Sequence, residues 1–243
     1  MKQAISFLAA LLLAGPSLAQ VRCSAGMEPI DRTADSRLGP MDFVREVAAK
    51  EQLFAKALAT YSYTMDVTVQ TLQGDAVDGE FRQVTTFTFD DKGVRRANVI
   101  DGPTNTLTRL KLSDKDINGF GDPLLFALTG DKLADRDIVY AGRQKMGDLN
   151  ASVFDVLPRT DQSSARAFQG RAWVRETDNA IVKICGRSSA FPVAPMRFEE
   201  QRAEVGGENW FPIQLRADED AKIGDDTVHV RVTVKYSDYK PRP

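Results

Sequence analysis

His229 is the chain's one histidine. An imidazole is the usual base beside a hydroxyl or thiol nucleophile. This one alternates with Val228 and Val230 on the polar side of a strand-like stretch, so it reads as a solvent-facing residue. No G-x-S-x-G turn presents a nucleophilic serine. Cys23 and Cys185 lie too far apart in sequence for a C-x-x-C redox pair, and with a single histidine they give no zinc spacing. The acidic run DEDAKIGDD at 218–226 lacks the ligand order of a calcium loop and reads as a solvated loop between the last two strands. Glu199 and Glu200 are adjacent on a strand and face opposite ways, so they do not form a glycosidase pair. Asn118-Gly119-Phe120-Gly121 has two glycines but no phosphate-loop lysine. These residue types therefore assemble no catalytic set, no metal site and no cofactor site.

What remains is apolar surface and the elements that would position it. In residues 61–72, Tyr61, Tyr63, Met65, Val67 and Val69 alternate with Ser62, Thr64, Asp66, Thr68 and Gln70. That period of two marks a strand with one buried and one wet face. A helix is expected just before it, over residues 40–59, with Asp42 as N-cap. Phe43, Val44, Val47, Phe54, Leu58 and Tyr61 form its apolar stripe, while Lys50, Glu51, Gln52 and Lys56 sit mostly off it. The inward set is Phe54, Leu58, Tyr61, Tyr63, Met65, Val67, Phe87, Phe89, Phe126 and Trp210. It has two readings: an ordinary packed core, or the lining of a lipophilic cavity that a curved sheet leaves unfilled.

After the first strand comes a meander. Strands are expected at 80–89, 94–100 and 106–112, the last two separated by Asp101-Gly102-Pro103. Ser113 or Asp114 caps a short helical turn, and residues 119–132 (GFGDPLLFALTGDK) form an apolar helical or lid-like insert. Strands resume at 137–145, 151–158, 167–176, 180–187, 196–205, 210–218 and 227–239. Residues 160–164 are read as a loop. The count is about eleven strands joined by short turns, which implies antiparallel pairing. The expected fold is mainly β: one curved antiparallel sheet forming an unclosed barrel, its concave face covered by the N-terminal helix and the mid-chain insert.

The chain has 243 residues, 42% hydrophobic and 27% charged, with a formal net charge of −2. That suits one large β domain and offers no basic field for nucleic acid. Residues 1–19 read as a signal peptide: Lys2, an apolar stretch at 5–14, a Gly15-Pro16 break, and cleavage after Ala19. Cys23 follows Gln20-Val21-Arg22 rather than a lipobox, so no lipid anchor is expected. Nothing after residue 20 approaches the run of roughly 20 apolar residues that spans a bilayer. Residues 20–39 form an irregular leader and residues 40–243 the domain. In the oxidising periplasm, Cys23 and Cys185 favour one disulfide, stapling leader to sheet.

The opening strand YSYTMDVTVQ, the stretch FQGRAWV at 168–174, Ile181-Val182-Lys183, Asn209-Trp210-Phe211-Pro212 and the closing residues 236–239 carry a resemblance. With the helix, meander and insert, the chain resembles the LolA/LolB/LppX-like periplasmic carriers, labelled outer membrane lipoprotein-sorting proteins, with the RseB sensor domain as a cousin. The resemblance covers residues 43–239. It implies an unclosed barrel with a helical lid that binds lipid or lipoprotein acyl chains without catalysis. Its alternative is an RseB-like module that reads a protein of the inner or outer membrane. In true LolA an arginine gates the lid; the sequence assigns no arginine of this chain to that role.

Overall fold

The computed structural model describes Cys23 and residues 27–133, 136–158, 168–207 and 209–242. The expected signal peptide and its cleavage site, and the loop at 160–164, lie outside the described residues.

Among the described residues ten strands form one antiparallel sheet: β1 (Tyr61–Gln73), β2 (Ala76–Phe89), β3 (Arg95–Asn105), β4 (Arg136–Met146), β5 (Leu149–Pro158), β6 (Gln169–Arg175), β7 (Ile181–Ser188), β8 (Met196–Val205), β9 (Asn209–Ile223) and β10 (Asp226–Pro241). Their spatial order is β3-β2-β1-β10-β9-β8-β7-β6-β5-β4. The first three strands grow the sheet one way. The remaining seven return as a meander until β10 pairs with β1, Val67 opposite Val234 and Val69 opposite Val232. The two sheet edges, β3 and β4, are thus sequence neighbours, and the insert between them crosses the concavity. The sheet does not close, as the sequence implies. Among the described residues no helix is long and apolar enough to cross a membrane.

One expected strand is absent. Residues 106–112 leave the sheet, because β3 itself continues through Asp101, Gly102 and Pro103 by way of a bulge. Leu107, Leu110 and Leu112 then turn onto the core, and Arg109 donates to the carbonyl of Leu72 at 2.7 Å. A second correction concerns the acidic run at 218–226, which is no loop. β9 runs on to Ile223 because Ala217, Glu219 and Ala221 alternate inward, leaving Gly224 and Asp225 as the turn.

The covering helix begins at Pro40, not at a cap on Asp42. The Phe43 N–H bonds to the Gly39 carbonyl at 2.9 Å, and Asp42 is already helical. Proline tolerates this first turn, where its missing N–H costs no bond. The helix passes from α1 (Pro40–Asp42) through a π-helical stretch (Phe43–Val47) into α2 (Ala48–Leu58). Its buried side chains are Phe43, Val47, Ala48, Glu51, Phe54 and Leu58. The insert contributes α3 (Asp114–Phe120) and α4 (Gly130–Leu133). Ser113 is the N-cap of α3, accepting from the Asp116 N–H while Asp116 accepts from Ser113 in return. Phe120, Phe126, Ala127, Leu128 and Leu133 of the insert are buried against the concave face.

The leader packs on the convex face. Cys23 is bonded to Cys185 with Cα atoms 5.5 Å apart. Met27 and Ile30 cover a second apolar cluster that includes Val153, Trp173, Val182 and Cys185. The leader then pairs with the edge of β4, where Asp31 and Arg143 exchange two backbone hydrogen bonds at 2.8 and 2.9 Å. Gly142 makes this crossing possible: at φ +133°, a Cβ there would sit 2.4 Å from the Asp31 carbonyl oxygen. The strap fixes one sheet edge and brings the chain round to α1.

Candidate functional site

The concave face is filled by the chain's own side chains. Tyr63, Met65, Val67 and Val69 have no accessible surface, so no water-sized void touches them. Tyr63 stacks on Phe87 at 5.2 Å, lies 5.7 Å from Tyr239, and donates to the Gly121 carbonyl at 2.8 Å. Tyr236 likewise donates to the Phe120 carbonyl at 2.7 Å. Two strand tyrosines thus hold the end of α3 over β1 and β10. Burial pushes both phenol pKa values above the usual tyrosine range. Phe126 stacks on Phe198 at 3.9 Å, and Tyr61 and Phe54 lie against Phe211 at 5.0 and 5.7 Å. Leu58 is fully buried in the same core, and Phe89 packs on its margin.

Of the ten expected lining residues, two reach open space together. Phe54 and Trp210 border a pocket of about 520 Å³ at the mouth of the concavity, between α2 and the hairpin ends of β6–β9. Leu53, Phe54 and Ala57 form its helix wall, with Ile181 and Trp210 opposite. Lys50, Glu51, Arg175, Asp178, Arg202 and Asn209 supply polar groups along the lining. Trp210 points away from its neighbour Phe211 and packs with the second cluster. Its indole carries the Arg175 guanidinium 4.5 Å from the ring centroid, and Asp178 holds that guanidinium at 2.6 and 2.9 Å. The Trp210 Nε1 is buried without a hydrogen-bond partner. Leu53 is 58% exposed beside this pocket, an apolar side chain left in water by a helix whose other apolar residues are mostly covered.

Behind the mouth lies an ionic cluster that the sequence reading missed. Arg202 of β8 donates to both carboxylate oxygens of Glu51 on α2, at 2.7 and 3.2 Å, and through Nε to Glu200 at 2.9 Å. Glu51 Oε2 also accepts the Leu128 N–H at 3.0 Å, and the Arg202 guanidinium lies 4.8 Å from the Phe54 ring centroid. Each of the three charged side chains is at most 3% exposed. Burial raises the Glu200 carboxyl pKa, tempered by Arg202. Burial works against the Arg202 charge, yet Glu51 and then Glu200 hold its pKa above the ordinary arginine value. The cluster joins the covering helix, the insert and the sheet at one point. The signal was present in the spacing. Glu51 is four residues after Val47 and three before Phe54, on the buried stripe; Glu200 and Arg202 share the parity of Phe198.

The remaining candidates have structural surroundings. His229 is bracketed by carboxylates, Nδ1 2.9 Å from Asp220 and Nε2 2.7 Å from Asp218, so both ring nitrogens are engaged. Glu199 faces away from Glu200 and pairs with Lys183 at 2.9 Å. No group of three or more metal-ligating side chains occurs among the described residues.

No protein-family model matches the chain, and no curated protein matches it. Among solved structures it is similar to a DUF1329 family protein from Desulfovibrio piger, at 11% identity over 81% of this chain and 93% of that one, with a TM-score of 0.38. It is similar to a LolA superfamily protein from Nitrosomonas europaea, at 12% identity over 80% and 94%, TM-score 0.34. It is also similar to a chain of the Pseudomonas aeruginosa MucA/MucB complex, at 10% identity over 81% and 99%, TM-score 0.27. Likenesses this loose leave the chemistry of the site to its own side chains.

Proposed function

We propose that this chain is an exported, non-catalytic envelope protein that binds acyl chains of lipids or lipoproteins at the mouth beside α2. The observation that carries the reading is the open pocket of about 520 Å³ with Leu53, Phe54, Ala57, Ile181 and Trp210 on its walls. That size lies within the ~300–1,000 Å³ of small-molecule sites, and its lining sets an apolar wall beside the charged side chains of Lys50, Glu51, Arg175, Asp178 and Arg202, a make-up that suits an acyl chain with a polar end. Burying methylenes contributes about 0.8 kcal/mol each, so an acyl chain is held without any reactive group. Export is supported by the sequence of residues 1–19 and by the Cys23–Cys185 disulfide, a bond that persists in oxidising compartments. With the deep concavity filled, the ligand enters at the mouth, and deeper insertion requires α2 to lift.

The test is titration with a fluorescent fatty acid. Leu53→Asp places a charge on the apolar wall at an exposed position, so the fold is spared. It is expected to weaken binding about tenfold or more, in line with the ~1.5–3 kcal/mol that burying a leucine contributes. Equal affinity of variant and parent would count against the site. A second reading is a module that reads a protein partner at its rim, for which a filled concave face suffices. It predicts no acyl uptake by either protein.

A further inference from the structure

We infer that a second open pocket, about 500 Å³ on the convex face, is a binding site for a phosphate group. Arg171, Arg187, Arg197, Asp155 and Leu157 line it, and the Cys23–Cys185 disulfide borders it. The register of β5 to β8 brings these residues together. Asp155 lies opposite Arg171, Arg171 opposite Cys185, and Arg187 opposite both Gln169 and Arg197. Directly opposed residues share a face, about 5 Å apart from strand to strand. This is the face on which Cys185 meets the leader, away from the mouth beside α2.

The arrangement works against the sheet. Like charges directly opposite each other on neighbouring strands are destabilising, yet Arg187 and Arg197 stand so. Two of the three guanidinia are balanced within the chain. Asp155 grips Arg171 at two points, 2.7 and 3.1 Å. Arg187 donates to Glu219 and to the Pro195 carbonyl, both at 2.8 Å. Arg197 differs. Its backbone N–H bonds to Glu219 at 2.6 Å, but its exposed guanidinium meets no acceptor among the described residues. A guanidinium has five N–H donors. Arg171 and Arg187 each spend two of them on the bonds above, so those bonds fix the side chains without exhausting them. Three donor forks around one hollow select the ligand. A carboxylate fills a single fork, whereas a phosphate monoester, with a charge of roughly −1.5 to −2 and three acceptor oxygens, takes bonds from several at once. Leu157 and Val139, 38% and 49% exposed, continue the same face beside the arginines. The phosphate of a lipid head group and a soluble phosphate share the chemistry that fits.

Two probes test this: inorganic phosphate, and vesicles of equal parts phosphatidylglycerol and phosphatidylcholine. Phosphate is expected to raise the parent's melting temperature saturably, against chloride at equal ionic strength. The mixed vesicles are expected to sediment with the parent, and vesicles of phosphatidylcholine alone are not. Arg197→Gln removes the guanidinium that has no acceptor, at an exposed position, so the fold is spared. It is expected to weaken the binding of either probe about tenfold, as the loss of one charge-assisted contact does. In phosphate-free buffer it is expected to raise the melting temperature slightly, because the opposed charges are relieved. Lys92→Gln, the same charge change in the β2–β3 turn, is expected to do neither. Binding of free phosphate alone marks a soluble ligand, and binding of the mixed vesicles alone marks a lipid head group; either supports the site when Arg197→Gln weakens it. Binding of neither probe, equal binding by Arg197→Gln and the parent, an equal loss in Lys92→Gln, or capture of a glutamate-rich peptide alone overturns the inference.

Discussion

Arg202→Met is expected to lower the unfolding free energy by roughly 3–5 kcal/mol, read from urea denaturation, because it leaves Glu51 and Glu200 buried without their cation. The magnitude comes from what is left behind. A buried ion pair taken whole is worth little, since desolvation of its members offsets their attraction. Removing one member forfeits the attraction and keeps the desolvation cost. The control follows from the same physics: Arg202→Met together with Glu51→Leu and Glu200→Leu should recover most of the loss. If the single variant is as stable as the parent, the cluster is not the point that fixes α2 to the sheet. The functional reading gives the cluster a second part. Glu51 is held by Arg202 and by the Leu128 N–H, so it ties α2 and the insert to β8 together. Lifting α2 to admit an acyl chain would break those bonds at one place.

Replacing Cys23 and Cys185 together by alanine should cost about 2–5 kcal/mol in the same assay. The two cysteines are 162 residues apart, so the bond constrains a long loop of the unfolded chain. It also holds the leader over the second cluster, where the Trp173 indole N–H bonds to Gln144 at 2.6 Å and Gln144 in turn donates to the Glu28 carbonyl. Reductant added to the parent should reproduce the loss and should not destabilise the double variant further. A double variant with the parent's midpoint would mean that the strap is held by its other contacts.

The sheet was legible in the sequence wherever one face is wet. On β1 and β10 every second residue is polar, so period two survives and the strands are read correctly to within a few residues. The covering helix was legible for the same reason, through Phe43, Val47, Phe54 and Leu58. Two elements failed for local reasons. Residues 106–112 have a strand's composition, yet Leu107, Leu110 and Leu112 are spent covering the core rather than extending the sheet. The acidic run at 218–226 looks like a loop by charge, yet its inward parity is Ala217, Glu219, Ala221. At the pocket, Phe54 and Trp210 belong to the expected inward set, whereas Leu53, Ala57, Ile181 and the charged residues do not. A glutamate on an apolar helix stripe reads as surface until Arg202, 151 residues away, is placed against it. The spacing puts each of these charged residues on a buried face, but which cation meets which carboxylate is a long-range pairing that neither local pattern shows.

As proposed above, the mouth between α2 and the β6–β9 hairpin ends holds an acyl chain. Native mass spectrometry of the protein isolated from its host gives the sharpest test. The expected spectrum shows the chain carrying a lipid-sized adduct that is released by organic solvent and is depleted in Leu53→Asp. A spectrum of bare protein from the parent, or an adduct equally abundant in the variant, would contradict it.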